Sequence, residues 1–311
     1  MKQLVTYYQM PGDQESEIEN LIYGAGFDGV ENLIYGTVPA KIPFRRVTEG
    51  VHLKYWPYWM DFYLGNKERL KKNFKSHEEL VEFYGAGSVD GWINYISENI
   101  RAALAERPHY LVWHVQENTV KESYTWRFHY SDEEVLKYTA EVYQAVSHLI
   151  PDGVYVLFEN LFWPGLYRME PQKVDFFFSQ LNDPSHTGIM FDTGHYMVTN
   201  PYLKNEDEAA DYIESMVNSL GDMKSLIKGI HLSASLSGDY VRRFNRKAPE
   251  NCTMSVLMRH VCALDRHDVF QTMAARRIIE AIEPEYVTHE IFGDTFSQAL
   301  EKARRQKVLL Q

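Results

Sequence analysis

The chain has 311 residues, 45% of them hydrophobic, and its 32 basic and 43 acidic residues give a formal net charge of −11. This hydrophobic content excludes an intrinsically disordered chain, and the acidic balance disfavours broad electrostatic binding to nucleic acid or anionic membranes. Only two cysteines are present, and no apolar run resembles a signal peptide or a membrane span. We therefore expect a soluble cytoplasmic protein without a disulfide framework.

In the first half of the chain, short β-favouring runs alternate with helical patterns. The predicted strands cover residues 4–9, 29–35, 50–56 and 110–115, and the second and third carry Glu31 and His52. Helices are predicted at 13–23, at 88–105 after a capping Ser88 or Asp90, and at 131–149 after a capping-box pattern. Residues 57–84 are aromatic and charged without clear periodicity, which indicates an irregular insertion with a helical part.

The second half repeats a sharper pattern, in which each apolar run ends on a residue able to bind a metal. The fifth to eighth predicted strands end on Glu159, Asp192, His231 and Glu290, respectively. Helices are predicted at 171–181, 207–220, 271–282 and 295–305, and a long Arg-rich excursion occupies 233–267. Runs of this kind are typical of buried parallel strands whose C-terminal ends face an active site.

Eight strands alternating with helices predict an α/β fold, namely one (β/α)₈ barrel domain over residues 1–311 with a metal site at its C-terminal mouth. A doubly wound open sheet is the alternative. Such a sheet normally has a Gly-rich phosphate loop after its first strand, and residues 8–13 read Tyr-Gln-Met-Pro-Gly-Asp instead.

The strand ends predict a metal site, because residues at the C-terminal ends of barrel strands converge on one mouth. Glu159, Asp192, His231 and Glu290 offer three carboxylates and one imidazole, a set suited to Mn²⁺, Zn²⁺, Mg²⁺ or Co²⁺. Any one of them alone could be a structural ion-pair partner. His289 is left out, because strand alternation points it to the opposite face from Glu290.

Further histidines and one aspartate are candidate ligands for additional ions. The turn Asp192-Thr-Gly-His195 can bring His195 back toward Asp192, and Asp265-Arg-His267 places two ligands on one side of an extended segment. His114 ends the fourth strand and His52 lines the third. Each lone histidine could instead be a hydrogen-bonded core imidazole, and Asp265 with His267 an exposed charged pair.

Taken in order, these motifs resemble the xylose isomerase-like TIM barrels, which include sugar isomerases, sugar epimerases and endonuclease IV-like AP endonucleases. The resemblance to the epimerase branch implies one metal on Glu159, Asp192, His231 and Glu290, with Glu159 and Glu290 as catalytic acid and base. The endonuclease IV-like branch implies a three-metal zinc cluster. Its whole ligand pattern can be matched by His52 (with Tyr55), His114, Glu159, Asp192, His195, His231, Asp265, His267 and Glu290.

The loops after the strands supply candidate substrate contacts. Tyr55, Trp56 and Trp163 lie just beyond strand ends, where aromatic faces can stack on sugar rings or bases, although they could equally pack the barrel mouth. Arg242 and Arg243 lie in a basic stretch after the seventh strand. They could bind a phosphate there or form a solvated lid surface.

These observations leave two enzyme classes. The favoured expectation is a divalent-metal-dependent isomerase or epimerase of a small sugar, polyol or sugar phosphate, because the net charge suits a small-molecule substrate. The alternative is an endonuclease IV-like phosphodiesterase with a multi-metal cluster, which the number of matched ligands favours. No binding to duplex nucleic acid or membrane is expected, and the sequence leaves open whether the chain forms a homo-oligomer.

Overall fold

The computed structural model describes residues 1–311 and contains a closed barrel of eight parallel strands in chain order, β1 to β8. The strands are β1 Lys2–Tyr7, β2 Gly29–Ile34, β3 Thr48–Leu53, β4 Tyr110–Val115, β5 Tyr155–Asn160, β6 Thr187–Asp192, β7 Ile227–His231 and β8 Tyr286–His289. β1 pairs with β8 and closes the ring. The predicted (β/α)₈ barrel is therefore confirmed.

Fourteen helices lie in the segments between the strands and after the last strand. They are α1 Glu15–Gly24, α2 Met60–Tyr63, α3 Lys67–Asn73, α4 His77–Tyr84, α5 Val89–Leu104, α6 Val120–Thr125, α7 Asp132–Val146, α8 Pro171–Ser179, α9 Thr193–Val198, α10 Glu206–Leu220, α11 Gly238–Arg243, α12 Met254–Leu264, α13 Ala274–Ile282 and α14 Phe296–Val308. None of them is long and apolar enough to cross a membrane.

Most predicted boundaries agree with the structure to within a few residues, and the differences have local causes. β1 and β3 begin two residues earlier than predicted, because pairing with neighbouring strands extends them toward the bottom of the barrel. The insertion at 57–84 contains the three short helices α2, α3 and α4, of which α3 and α4 are capped by Asn66 and Ser76. The 233–267 excursion likewise contains α11 and α12, which had not been predicted.

The barrel interior below the mouth is filled by side chains from five of the eight strands. Leu4, Tyr110, Val112, Leu157, Met190 and Tyr286 form this inner cluster and are almost completely buried. Gly50 leaves the space for the Tyr110 ring, since a Cβ there would lie 2.1 Å from a ring carbon. A larger apolar layer between strands and helices completes the core and holds the strand ends at the mouth in place.

Candidate metal centre

The strand ends bring nine potential metal ligands to one place at the barrel mouth. The side chains fall into a first group of His52, His114 and Glu159, a central group of Glu159, Asp192, His231 and Glu290, and a third group of His195, Asp265 and His267. Within each group the ligand atoms lie within 4.8 Å of one another. Glu159 belongs to two groups, and every candidate ligand named from the sequence is included.

Strand register explains how residues distant in the chain meet here. His114 on β4 lies opposite Glu159 on β5, and Asp192 on β6 lies opposite His231 on β7. Glu290 immediately follows β8. His289 points away from this cluster, as expected, and contacts Gln3 and Gln306.

The first group has the spacing of a metal site. The Nε2 atoms of His52 and His114 are 2.9 Å apart, and they lie 3.3 and 3.0 Å from Glu159 Oε2. Donor atoms around a tetrahedral zinc ion with bonds of about 2.0–2.1 Å are separated by roughly 3.3–3.4 Å. His52 Nδ1 donates to the Leu53 carbonyl at 2.9 Å, which leaves a lone pair on its Nε2. His114 Nδ1 is buried without a partner, and its Nε2 lies within hydrogen-bond distance of both His52 Nε2 and Glu159 Oε2. A proton or a cation must therefore lie among these three atoms.

The central group surrounds the Nδ1 atom of His231. This nitrogen lies 3.2 Å from Glu159 Oε1, 3.1 Å from Glu290 Oε2 and 3.8 Å from Asp192 Oδ2. Asp192 Oδ2 and Glu290 Oε2 are buried without a hydrogen-bond partner, as is Glu159 Oε2, which faces the first group. Burying a carboxylate oxygen without a hydrogen-bond donor costs free energy, and a divalent ion would supply the missing partner. Three carboxylates and one imidazole are a ligand set that fits such an ion.

The third group is assembled by a helix cap and by the base of the long excursion. Asp192 Oδ1 accepts from the His195 backbone N–H at 2.6 Å, and this cap begins α9 and turns His195 toward the mouth. An antiparallel bridge between Ala234 and Asp268 closes the excursion. Asp265 Oδ2 consequently lies 3.2 Å from His195 Nε2 and 2.6 Å from His267 Nε2.

The electrostatics of the cluster reflect its burial. Burial alone would lower the pKa of His231, but the carboxylates of Glu31, Glu159 and Glu290 raise it well above its usual value. Burial lowers the pKa of His114 to about 4, against an opposing effect of Glu159. In the absence of a cation, protons shared between imidazoles and carboxylates must therefore balance the buried charge.

The predicted substrate contacts have different surroundings. Tyr55 is 40% exposed at the mouth and stacks on His114 with ring centroids 4.0 Å apart. Trp56 is instead buried against Trp92 and donates its indole N–H to the Phe83 carbonyl, so its ring faces the helical layer. Trp163 is buried and packs on Phe162, whose ring lies 5.5 Å from that of His195.

The two arginines differ in how far they are engaged by other residues of the chain. Arg242 donates to Asp239 and to the Pro201 carbonyl. Arg243 is largely exposed and lies 3.9 Å from the same aspartate. Asp239 therefore neutralises part of the basic stretch, and a phosphate would have to compete with it.

Two residues at this centre were not recognised from the sequence as site residues. Glu31 on β2 is completely buried and lies 2.9 Å from His231 Nε2. Tyr35 follows β2, is 38% exposed, and has its ring 6.3 Å from both His52 and Tyr55. A carboxylate within an apolar strand was the available signal for Glu31, whereas Tyr35 had no sequence pattern that distinguished it from other loop tyrosines.

Comparison with known proteins supports the fold. No protein-family model matches the sequence, and no curated protein has a significantly similar sequence. Among solved structures, endonuclease IV from Thermus thermophilus matches with a TM-score of 0.58 and 9% identity, covering 100% of this chain and 99% of that chain. A D-tagatose 3-epimerase-like protein matches with a TM-score of 0.57 and 15% identity, covering 100% and 97%.

A third solved structure, a D-psicose 3-epimerase in the presence of D-fructose, matches with a TM-score of 0.55 and 11% identity, covering 99% of this chain and 97% of that chain. The expected likeness to both branches of the xylose isomerase-like TIM barrels is therefore confirmed at the level of fold. Identities this low do not transfer an activity, so function has to be argued from the site itself.

Proposed function

We propose that this protein is a multi-metal hydrolase that cleaves a phosphate ester or phosphodiester bond in a small-molecule substrate. The observation that carries the proposal is the assembly of three ligand groups at one mouth, two of them linked through Glu159. A single-ion isomerase needs only the central group. The residues His52, His114, His195, Asp265 and His267 are ligands beyond those that a single ion requires.

The two oxygens of Glu159 face different groups. Oε2 lies among the imidazoles of the first group, and Oε1 lies 3.2 Å from His231 Nδ1. Adjacent divalent ions in such an arrangement polarise phosphoryl oxygens and acidify water, which is the chemistry needed for hydrolysis. With both oxygens committed, Glu159 would hold its neighbours in place and would not exchange protons with a substrate.

Isomerisation or epimerisation of a sugar is the second candidate, and one observation favours it. The Glu290 side chain is 16% exposed, compared with 1% for Glu159 and 0% for Asp192, so it is the carboxylate of the central group that opens to the mouth. If only the central group bound an ion, Glu159 Oε2 would bind none. Glu159 and Glu290 could then together move a proton at a substrate carbon.

The rim of the mouth suggests the kind of substrate. Tyr35 and Tyr55 are exposed on one side, and on the other Phe292 is 51% exposed and stacks on His267 with centroids 3.9 Å apart. Aromatic faces of this kind stack on sugar rings or bases. Together with the net charge of −11, this rim favours a small ring-bearing phosphate ester over duplex DNA.

The experiment combines metal counting with hydrolysis assays. Protein dialysed against Zn²⁺ or Mn²⁺ should bind two or three ions per chain and hydrolyse a generic aryl phosphodiester or phosphomonoester. Glu159→Gln should abolish hydrolysis and weaken the binding of ions in the first and central groups, while the third group, which does not contain Glu159, should keep its ion. Glu285→Gln is the matched control, because Glu285 lies just before β8 at the opposite end of the barrel and its side chain is 48% exposed.

The outcomes separate the two candidates. One ion per chain at saturating Zn²⁺, together with isomerisation of a ketose and no ester hydrolysis, would replace the hydrolase by the isomerase. Binding of no ion would remove both proposals.

A further inference from the structure

The carboxylate of Glu31 lies beside the metal centre but outside the three ligand groups. It is completely buried inside the barrel and accepts hydrogen bonds from the Tyr110 hydroxyl at 2.8 Å and the Thr288 hydroxyl at 3.2 Å. Its two oxygens are 2.9 and 3.1 Å from His231 Nε2. Burying a carboxylate away from water costs free energy unless hydrogen-bond partners are held around it. The hydrogen bonds of Glu31 therefore indicate a specific role.

Three of the four other imidazoles of the centre are oriented in a different way, and the fourth, His114, has its Nδ1 buried without a hydrogen-bond partner. His52, His195 and His267 each direct Nδ1 to a main-chain carbonyl, at 2.9, 2.9 and 3.0 Å respectively. Each therefore presents Nε2 to its group. A histidine that donates one ring N–H to an acceptor is fixed in tautomer and in orientation as a metal ligand.

His231 has the reverse arrangement. Its Nδ1 faces Glu159, Glu290 and Asp192, and its Nε2 faces Glu31. The acceptor that fixes its tautomer is consequently a buried carboxylate and not a peptide carbonyl. The imidazole ring itself separates Glu31 from the other three carboxylates, so Glu31 is not placed to bind the same ion.

We infer that Glu31 is a positioning residue that holds His231 with its proton on Nε2 and thereby makes His231 Nδ1 a strong ligand for the ion of the central group. This inference rests on the proposed metal centre and adds to it a residue that touches neither ion nor substrate. A carboxylate acceptor raises the basicity of the ligating imidazole more than a carbonyl does. The central ion should therefore be the most tightly bound of the set.

The surroundings of Glu31 fit this role. The Tyr110 hydroxyl reaches Glu31 only because Gly50 leaves space for the tyrosine ring, and Thr288 on β8 lies opposite His231 on β7. Both hydroxyls donate to the carboxylate and hold it toward Nε2. Four other strands thus contribute to the orientation of one imidazole on β7.

The test uses the full-length protein with Zn²⁺ as the probe. Glu31→Gln should lower the affinity for one Zn²⁺ ion about 10- to 100-fold, measured in competition with a chelator. This is the usual effect of losing the residue that hydrogen-bonds to a metal ligand. The remaining ions should keep their affinities. Tyr110→Phe, which removes one donor from the same buried cluster but leaves the carboxylate facing His231, is the control and should have a much smaller effect.

A spectroscopic measurement makes the inference independent of the variants' folding. In the Zn²⁺-loaded wild type, two-bond ¹H–¹⁵N spectra of labelled histidine should find His231 protonated at Nε2. Protonation at Nδ1 would overturn the inference, as would unchanged Zn²⁺ affinities in a folded Glu31→Gln variant. Failure of the wild type to bind Zn²⁺ at all would instead refute the proposed metal centre.

Discussion

Replacing Asp265 with asparagine should remove one metal ion from the centre and leave the others bound. Asp265 is the only carboxylate of the third group, which shares no residue with the other two groups. The amide keeps the shape of the side chain and its hydrogen bond with Ser235, whose hydroxyl lies 2.7 Å from Oδ1. The substitution therefore tests the charge of Asp265 with little change in packing.

The size of the effect follows from the distances. Asp265 Oδ2 lies 2.6 and 3.2 Å from the two imidazole nitrogens, so an ion among them would have this oxygen as a direct ligand at about 2.1 Å. Coulomb's law gives about 4 kcal/mol for a dication and a unit charge at that separation even in the dielectric of bulk water. The affinity of this ion should fall by on the order of a thousand-fold or more, because the site is buried.

Equilibrium dialysis against Zn²⁺ with elemental analysis measures the result directly. Asp268→Asn provides the matched control: it makes the same change in charge three residues away, at a 53% exposed side chain paired with Arg266. We expect the wild type and the control to bind the same number of ions, and Asp265→Asn to bind one fewer. Unchanged binding by Asp265→Asn, or loss of all ions together, would refute the division into separate groups.

Three further predictions concern stability and specificity. Burial raises the pKa of the Glu106 carboxyl group from 4.5 to about 7, so this group loses its proton at a lower pH in the unfolded chain than in the folded protein. The free energy of unfolding should therefore fall by about 2–3 kcal/mol between pH 4.5 and pH 7. Denaturant titrations of Glu106→Gln should lack this pH dependence. Gly50→Ala should lower the free energy of unfolding by at least about 1–3 kcal/mol, because the alanine Cβ would overlap the Tyr110 ring. Thermal unfolding measures this change. Metal-loaded protein should not cleave a labelled duplex at an abasic site; robust cleavage that Glu290→Gln abolishes would show that the substrate is DNA.

The barrel itself could be predicted from the sequence because its signals are local. Each βα unit has its own apolar run and helical pattern, and several of the helices have a side-chain cap, as Ser131 at α7 and Asn205 at α10. Parallel strands in chain order then leave few topologies. The candidate ligands followed from the same reasoning, since strand ends in a closed barrel must meet at one mouth.

The helices within the two long segments, residues 57–84 and 233–267, could not be predicted in this way. The helices α2, α3 and α11 have only four, seven and six residues, so they are too short to show the apolar periodicity that marks a helix in a sequence. The exposure of a side chain in such a segment depends on what covers it. Trp56, for example, is turned toward Trp92 and the helical layer because α5 provides an apolar surface there.

The nine candidate ligands could be named from the sequence, because each apolar run and the polar residue that follows it are neighbours in the chain, whereas Glu31 and Tyr35 were not recognised. How these residues are grouped depends on the folded protein. The division of nine ligands into three groups, the opposite orientation of His231 and the role of Glu31 depend on distances of 2.6–3.8 Å between different strands and loops. Such distances are set by the closure of the whole barrel and by side-chain rotamers, to which no local pattern in the sequence is sensitive.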